Sequence, residues 1–374
     1  MSQPAVLFGG PSPEHDISIL TGLQAARALA DSGEAVTAIY WSKTADWFAI
    51  DPGLEPHEFV DGVPKGATPL RLVAAPGGGF VGEGGLLGKR RALETSAIVN
   101  CCHGGPGEDG TLQAALDLAG LRYTGPSAAG AALGMDKLTF SALVRDIGIP
   151  HLPCVATSPE RAESPFDGPY IVKPRFGGSS IGIEVFEDWG SVLAFLRAPQ
   201  PLLRAGAVVE PFRSDAVDLE VGVRNFPTRA QSAISKPLRA DDGAEAGGGI
   251  YGYRDKYVGG EGMASAPREL PAQLSADHEC AVREWTDRVA DVAMVRGLAR
   301  LDFLLTGGEL YVNEINTVPG SLSWMLWVDP AIPFATLLHD MLEEAMAGPG
   351  RAYSVVGADG SVLRSAGSIS AKLG

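Results

Sequence analysis

The residues best equipped for chemistry lie near the C-terminus: Arg300 and Asp302, then Glu314 and Asn316 within Asn313-Glu314-Ile315-Asn316-Thr317-Val318-Pro319-Gly320. Two carboxylates and an amide are hard oxygen donors of the kind Mg²⁺ takes, an ion that keeps waters and bridges carboxylates to substrate phosphates. Arg300 is a fixed cation able to face a phosphate or a developing oxyanion. Asp and Asn also close turns, and Glu often sits on a solvated strand face, so this segment alone leaves both readings open. The elements that must position it are legible. Phe303-Leu304-Leu305 and Leu310-Tyr311-Val312 have strand composition, and Thr306-Gly307-Gly308 can turn between them.

Further candidates lie upstream. Lys173 heads Lys173-Pro174-Arg175-Phe176-Gly177-Gly178-Ser179-Ser180-Ile181-Gly182, between two strand-like runs. Its glycines and serines let backbone N–H groups and hydroxyls wrap phosphate oxygens. It is not a GxxxxGK[ST] loop, and neither is Gly88-Lys89. Lys137 begins or precedes a helix and could supply a second cation. Glu210 ends the apolar run Val208-Val209, where it could meet an adenine edge or simply cap a strand. His103 follows the strand ending at Cys101-Cys102, at the kind of strand end where open α/β sheets bind ligands. Glu108 and Asp109 could cap the next helix. Glu14 sits at another loop-to-helix junction, where it either favours the helix dipole or holds a substrate ammonium. Tyr251 to Tyr257, with Lys256, suits a lid over phosphates or an edge strand.

The framework around these residues reads as strand, helix, strand. Ala5–Phe8 is an apolar strand. Ile17, Leu20, Leu23, Ala26 and Ala30 recur at helical spacing after it. With Val36–Tyr40 and Ala97–Cys101 as further strands, this order predicts a parallel α/β sheet at the N-terminus. Residues 51–96 predict loops and a hairpin, 127–147 a helical pattern, and Val282, Trp285, Val289 and Val292 one face of a long helix. A last helix is expected near 331–346. The chain divides into lobes at 1–125, 126–208 and 209–347, with a Gly-, Ser- and Ala-rich tail over 348–374.

Bulk properties narrow the function classes. The chain has 374 residues, 45% hydrophobic and 20% charged, as in an ordinary globular protein of two or three lobes. A net charge of −15 argues against nucleic acid as the partner, and no apolar run is long enough to span a membrane. Met1-Ser2-Gln3-Pro4 has no basic-then-apolar pattern, so no signal peptide is expected. Cys101, Cys102, Cys154 and Cys280 form no CxxC pair and read as buried small hydrophobes in a reducing cytoplasm.

Taken in order, LFGGPSPEHDIS, HGGPGEDGTLQ, YTGP followed by MDK, VKPRFGGSSIGI, YRDKY, ARLDF and NEINTVPGS resemble the D-alanine–D-alanine ligase family of the ATP-grasp superfamily, over roughly residues 4–347. The resemblance implies a three-lobed α/β ATP-grasp fold with an N-terminal parallel α/β domain, and ATP held between two antiparallel sheets. It implies that Lys137, Lys173 and Lys256 face the nucleotide phosphates under a loop carrying Ser180, that Glu210 reads the adenine, and that Asp218 takes the ribose contact. Asp302, Glu314 and Asn316 would hold two Mg²⁺ ions, or Mn²⁺ in their place. Glu14 would anchor the first amino acid's ammonium, linked through Ser179 to Tyr257. Arg300 and the Gly320 N–H would form the oxyanion hole, with His103 near the second substrate.

The implied reaction activates one amino acid as an acyl phosphate and lets the amine of another attack it, in a cytoplasmic homodimer serving peptidoglycan synthesis. One departure bears on the substrate. Met325 stands where the family has a serine that receives the second substrate's carboxylate, and methionine has no hydroxyl to donate. Ser321 or Ser323 could compensate, or the second substrate differs. A ligase making another dipeptide is therefore the competing reading, and an ATP-binding regulatory protein without turnover is a third.

Overall fold

The computed structural model describes residues 3–82, 92–238, 266–348 and 354–373. Lys256 and Tyr257, and the expected lid at 251–257, lie outside the described residues.

The N-terminal lobe is built on a six-stranded sheet, ordered β5-β4-β3-β2-β1-β6. Its strands are β1 (Gln3–Gly9), β2 (Thr37–Trp41), β3 (Trp47–Ile50), β4 (Thr68–Val73), β5 (Gly79–Gly82) and β6 (Thr95–Asn100). Only β2, β1 and β6 are parallel, whereas β2 through β5 run as an antiparallel meander. The parallel character read from the sequence thus holds around β1. The β2–β3 and β4–β5 turns are too short for a helical crossover, and the β3–β4 connection carries only the 3₁₀ turn Pro56–Phe59. Helix α1 (His15–Asp31) connects β1 to β2, and the short α2 (Gly105–Glu108) and α3 (Thr111–Ala119) follow β6. The apolar residues of β1 are fully buried because both faces of the sheet are covered.

The helical pattern over 127–147 is two helices, α4 (Ala128–Met135) and α5 (Lys137–Asp146), the second beginning at Lys137 as the sequence allowed. Asp136 is extended, caps the Leu138 N–H, and takes a two-pronged ion pair from Arg175, 39 residues further on. A four-stranded antiparallel sheet, β7-β10-β8-β9, follows, made of β7 (Val155–Thr157), β8 (Tyr170–Pro174), β9 (Glu184–Phe186) and β10 (Ala207–Pro211), with α6 (Trp189–Arg197) packed on it.

The last sheet, β12-β11-β15-β16, contains β11 (Val217–Arg224), β12 (Ala230–Gln231), β15 (Leu298–Thr306) and β16 (Glu309–Asn316). Beside it β13 (Lys236–Pro237) pairs with β14 (Arg268–Glu269). Helix α7 (Ala276–Val292) sets Val282 and Val289 into a core with Leu219, Val221, Leu301 and Phe303. A tight turn over Gly320–Leu326 then leads to α8 (Phe334–Ala347), whose Leu337, Leu338 and Met341 join the core of the first lobe beneath α1. The last helix therefore ties the C-terminal lobe to the N-terminal one. In the tail, the short α9 (Ser361–Ser365) and α10 (Ser370–Leu373) leave Val362 and Leu363 exposed.

Candidate active site

The β15–β16 hairpin turns at Gly307 and Gly308, both with positive φ, as the sequence suggested. Cross-strand pairing sets Arg300 opposite Asn316 and Asp302 opposite Glu314, so all four side chains share one face of the sheet. A bulge then inserts Asn313, because Phe303 pairs with Val312. The extra residue keeps Glu314 and Asn316 on the cleft face while returning Val312 to the core. On the neighbouring strand Asp218 and Glu220 pair with Leu304 and Asp302 and join the same face.

Charge is concentrated there. Buried Arg300 gives Asp302 two N–H bonds of 2.6 and 2.7 Å and reaches a Glu220 oxygen at 3.5 Å. Asn316 adds a bond of 3.1 Å to Asp302. Burial nonetheless pushes the Asp302 carboxyl up to about 7, with Arg300 opposing and Glu220 and Glu314 adding to the rise. Carboxylates crowded out of water in this way are stabilised by a cation. Asp302, Glu314 and Asn316 therefore fit a divalent metal by donor type and by their shared face. The fit requires the amide of Asn316 to turn its oxygen toward the ion.

Two clefts meet at this face. The larger holds about 910 Å³ including its open mouth, within the size range of small-molecule sites. It is lined by Lys137, Lys173, Ser180, Glu210, Asp218 and Asp302 among others. Lys173 and Glu210 form a buried ion pair of 2.6 Å, and Glu210 is held below the usual carboxylate range by Lys173 against its burial. Lys137 donates to the Gly177 carbonyl and lies 3.9 Å from Glu314.

The smaller cleft is lined by Glu14, His103, Glu108, Ser179, Arg300, Asn316 and Gly320, and shares Lys137 and Glu314 with the first. Glu14 sits at the N-terminal end of α1 with its carboxylate unspent on capping, and Ser179 donates to it. Ser179 and Ser180 both have positive φ, the turn that brings this hydroxyl to Glu14. Gly104, at φ 60°, passes so close that a Cβ there would stand 2.3 Å from a Glu14 oxygen.

His103 is held as a neutral imidazole. Its Nδ1 donates to the Val318 carbonyl at 2.7 Å, leaving Nε2 to accept from Thr21 at 2.7 Å. Burial pulls its pKa down to about 4. Thr21 accepts in turn from the Ser321 N–H at 3.0 Å, so His103 fixes the segment after Val318. Glu108 accepts from the Gly104 and Val318 N–H groups at 3.0 and 2.9 Å. Burial and the nearby Glu14 charge raise it to about 7.

Ser321, Leu322 and Ser323 form a left-handed turn with φ near 50°, and Ser321 and Ser323 are buried. Among the described residues the Ser323 hydroxyl has no partner. Met325 packs with Leu326, Leu270 and Trp324 and is not part of either cleft wall. Trp324 stacks on Phe334, and Trp327 lies buried under Arg224, so both tryptophans are packing residues. Sequence reasoning missed Thr21, Glu220 and Arg268. The alternation Asp218, Glu220 was the one signal available for Glu220.

The D-ala D-ala ligase N-terminus model matches residues 3–126 and the D-ala D-ala ligase C-terminus model matches residues 132–343. The chain belongs to the D-ala D-ala ligase family. The D-alanine–D-alanine ligase of Nocardia farcinica is 32% identical over 369 residues, covering 92% of this chain and 96% of that relative. A relative of the same name from a Methylobacterium species is also 32% identical, covering 92% of each chain. The solved D-alanine-D-alanine ligase of Coxiella burnetii superposes with a TM-score of 0.73 at 22% identity, covering 92% of this chain and 94% of that one. Membership makes the chain an ATP-dependent ligase of ATP-grasp fold that uses a divalent metal. No described helix is long and apolar enough to cross a membrane.

Proposed function

We propose that the chain joins two molecules of D-alanine, converting ATP to ADP and phosphate, by way of a D-alanyl phosphate. The observation that carries this reading is the meeting of the two clefts at Lys137, Ser179 and Glu314, which puts a carboxylate-bearing substrate beside a terminal phosphate.

A carboxylate is a poor acyl donor because oxide leaves badly. Its attack on the γ-phosphorus releases ADP and turns one carboxylate oxygen into part of a phosphate leaving group. Lys173 and Lys137 offset the charge of the transferring phosphoryl group. Asp302, Glu314 and Asn316 would hold two Mg²⁺ ions, which when bound neutralise phosphate oxygens. Glu14, oriented by Ser179, takes the ammonium of the donor amino acid. The acceptor amine then attacks the acyl carbon, and Arg300 with the Gly320 N–H faces the oxyanion of the tetrahedral intermediate. Collapse expels phosphate and leaves the dipeptide. The setting we propose is a cytoplasmic homodimer supplying peptidoglycan. Cys101, Cys102 and Cys154 are buried as small hydrophobes, whereas Cys280 is exposed, and all four are free thiols.

A second reading is favoured by Met325, whose buried thioether gives an acceptor carboxylate no donor. In it the acceptor is an amino acid other than D-alanine. Phosphate release with Mg-ATP across D- and L-amino acids, singly and in pairs, separates the two. Release with D-alanine alone supports the first. Release only with another pair transfers the assignment to the second, and release with none sinks both.

A further inference from the structure

We infer that Asp136 and Arg175 are positioning residues for the nucleotide phosphates, because their ion pair locks the start of α5, and with it Lys137, to the loop that carries Ser179 and Ser180. The inference rests on the ligase reading above, which puts the phosphates of ATP in the larger cleft.

Lys137 lines both clefts, as do Gly177, Gly178 and Ser179. A lysine is a point charge on a flexible stem, so where its ammonium stands depends on what fixes its backbone and its tip. Lys173 is fixed by its buried pair with Glu210 at 2.6 Å. Lys137 is fixed by the loop instead. Its N–H donates to the Arg175 carbonyl at 3.2 Å, and its ammonium donates to the Gly177 carbonyl. An ammonium carries three donors, so one bond to a carbonyl still allows contacts to phosphate oxygens.

One carboxylate organises this junction. Asp136 accepts from the Leu138 N–H at 3.1 Å and from the Thr139 hydroxyl at 2.7 Å, which fixes the first turn of α5. The same carboxylate takes the forked guanidinium of Arg175 at 2.7 and 2.5 Å. Asp136 also makes an antiparallel bridge with Phe176, and the Arg175 guanidinium stands 5.1 Å from the centre of the Phe176 ring. On its other side the Arg175 N–H donates to the Gly206 carbonyl at 3.0 Å, just before β10, so the junction is tied to the central sheet. Residues 175, 176 and 177 are thus each tied to residue 136 or 137, and helix start and loop form one unit. The Arg175 side chain is 35% exposed, and an ion pair that open to water adds little to global stability. Its consequence falls on where Lys137 stands.

The test measures affinity for Mg-ATP and for adenosine, so that phosphate contacts are read apart from those to adenine and ribose and no turnover is needed. Arg175→Met should weaken Mg-ATP about 10-fold, the size of one misplaced charge-assisted hydrogen bond, and leave adenosine within about twofold. Asp136→Asn keeps a capping oxygen for Leu138 and should lose as much, with the double variant losing no more than either single. Arg175→Lys should retain part of the affinity. Lys137→Ala identifies the route, since in that background Arg175→Met should weaken Mg-ATP by less than about threefold. Should Arg175→Met not fold, Asp136→Asn carries each comparison. Mg-ATP affinity within threefold of wild type in either variant, an adenosine loss equal to the ATP loss, or an undiminished effect in the Lys137→Ala background overturns the inference and leaves the ligase reading intact. Wild-type protein that binds no Mg-ATP removes the ligase reading itself, and this inference with it.

Discussion

Replacing Arg300 separates its two proposed duties. Arg300 is 4% exposed, and its guanidinium makes two bonds of 2.6 and 2.7 Å to Asp302 and approaches Glu220 at 3.5 Å. Arg300→Met keeps the apolar stem but leaves a buried carboxylate without its main partner, a change that costs about 3–5 kcal/mol. Glu220 retains Arg268 at 3.6 Å, so the lower half of that range is expected. Arg300→Lys restores the charge as a single point without the fork, and should recover most of the stability. Neither variant offers the same directed donor to a tetrahedral oxyanion, and each should lose about 10²- to 10³-fold in kcat. Urea unfolding in EDTA measures the first quantity, and dipeptide formation at saturating substrates the second. A Lys variant within threefold of wild-type kcat refutes the oxyanion role. A Met variant destabilised by less than about 1 kcal/mol refutes the buried network.

Three further outcomes follow from the geometry. Ser179→Ala removes the hydroxyl that donates to Glu14, and should raise the KM for the donor amino acid about 10-fold with unchanged melting; an unchanged KM removes the link. Glu314→Gln should abolish turnover and leave the fold intact, and near-normal rates in that variant would remove the metal site. Glu108 has its pKa raised to about 7 from an ordinary 4.5, so the stability it contributes is complete below about pH 4.5 and is lost as the pH rises through 7. At about 1.4 kcal/mol per unit, wild type should lose about 3 kcal/mol of unfolding free energy across that window relative to Glu108→Gln. Parallel pH profiles for the two proteins contradict this.

The hairpin was legible because strand alternation, a Gly-Gly turn and the acidic residues all lie within a short stretch, so local rules position them. The bulge at Asn313 was not, since inserting one residue depends on how β16 seats against β15. The helix start at Lys137 was legible, whereas the ion pair that Arg175 makes with the capping Asp136 from 39 residues away was not. Glu14 and His103 were found from their places at strand ends. The resemblance already paired Ser179 with Glu14, whereas the His103 partners Thr21 and Val318 come from other elements and emerge only once these pack together. Glu220 escaped notice because a buried acid looks like an ordinary strand residue until register sets it opposite Asp302, and Arg268 because its approach to Glu220 comes from another strand pair. Motif order reached the family, while the turn from Gly320 to Leu326 took its form from packing against Thr21 and Leu270.

The central claim is that a carboxylate is activated by phosphoryl transfer before the peptide bond forms. Donor amino acid labelled with ¹⁸O in its carboxylate tests this directly, because the acyl phosphate hands one carboxylate oxygen to the phosphate that leaves. The account predicts one ¹⁸O in inorganic phosphate for each dipeptide made, with ADP unlabelled. Phosphate free of label, or label appearing in AMP, would contradict it.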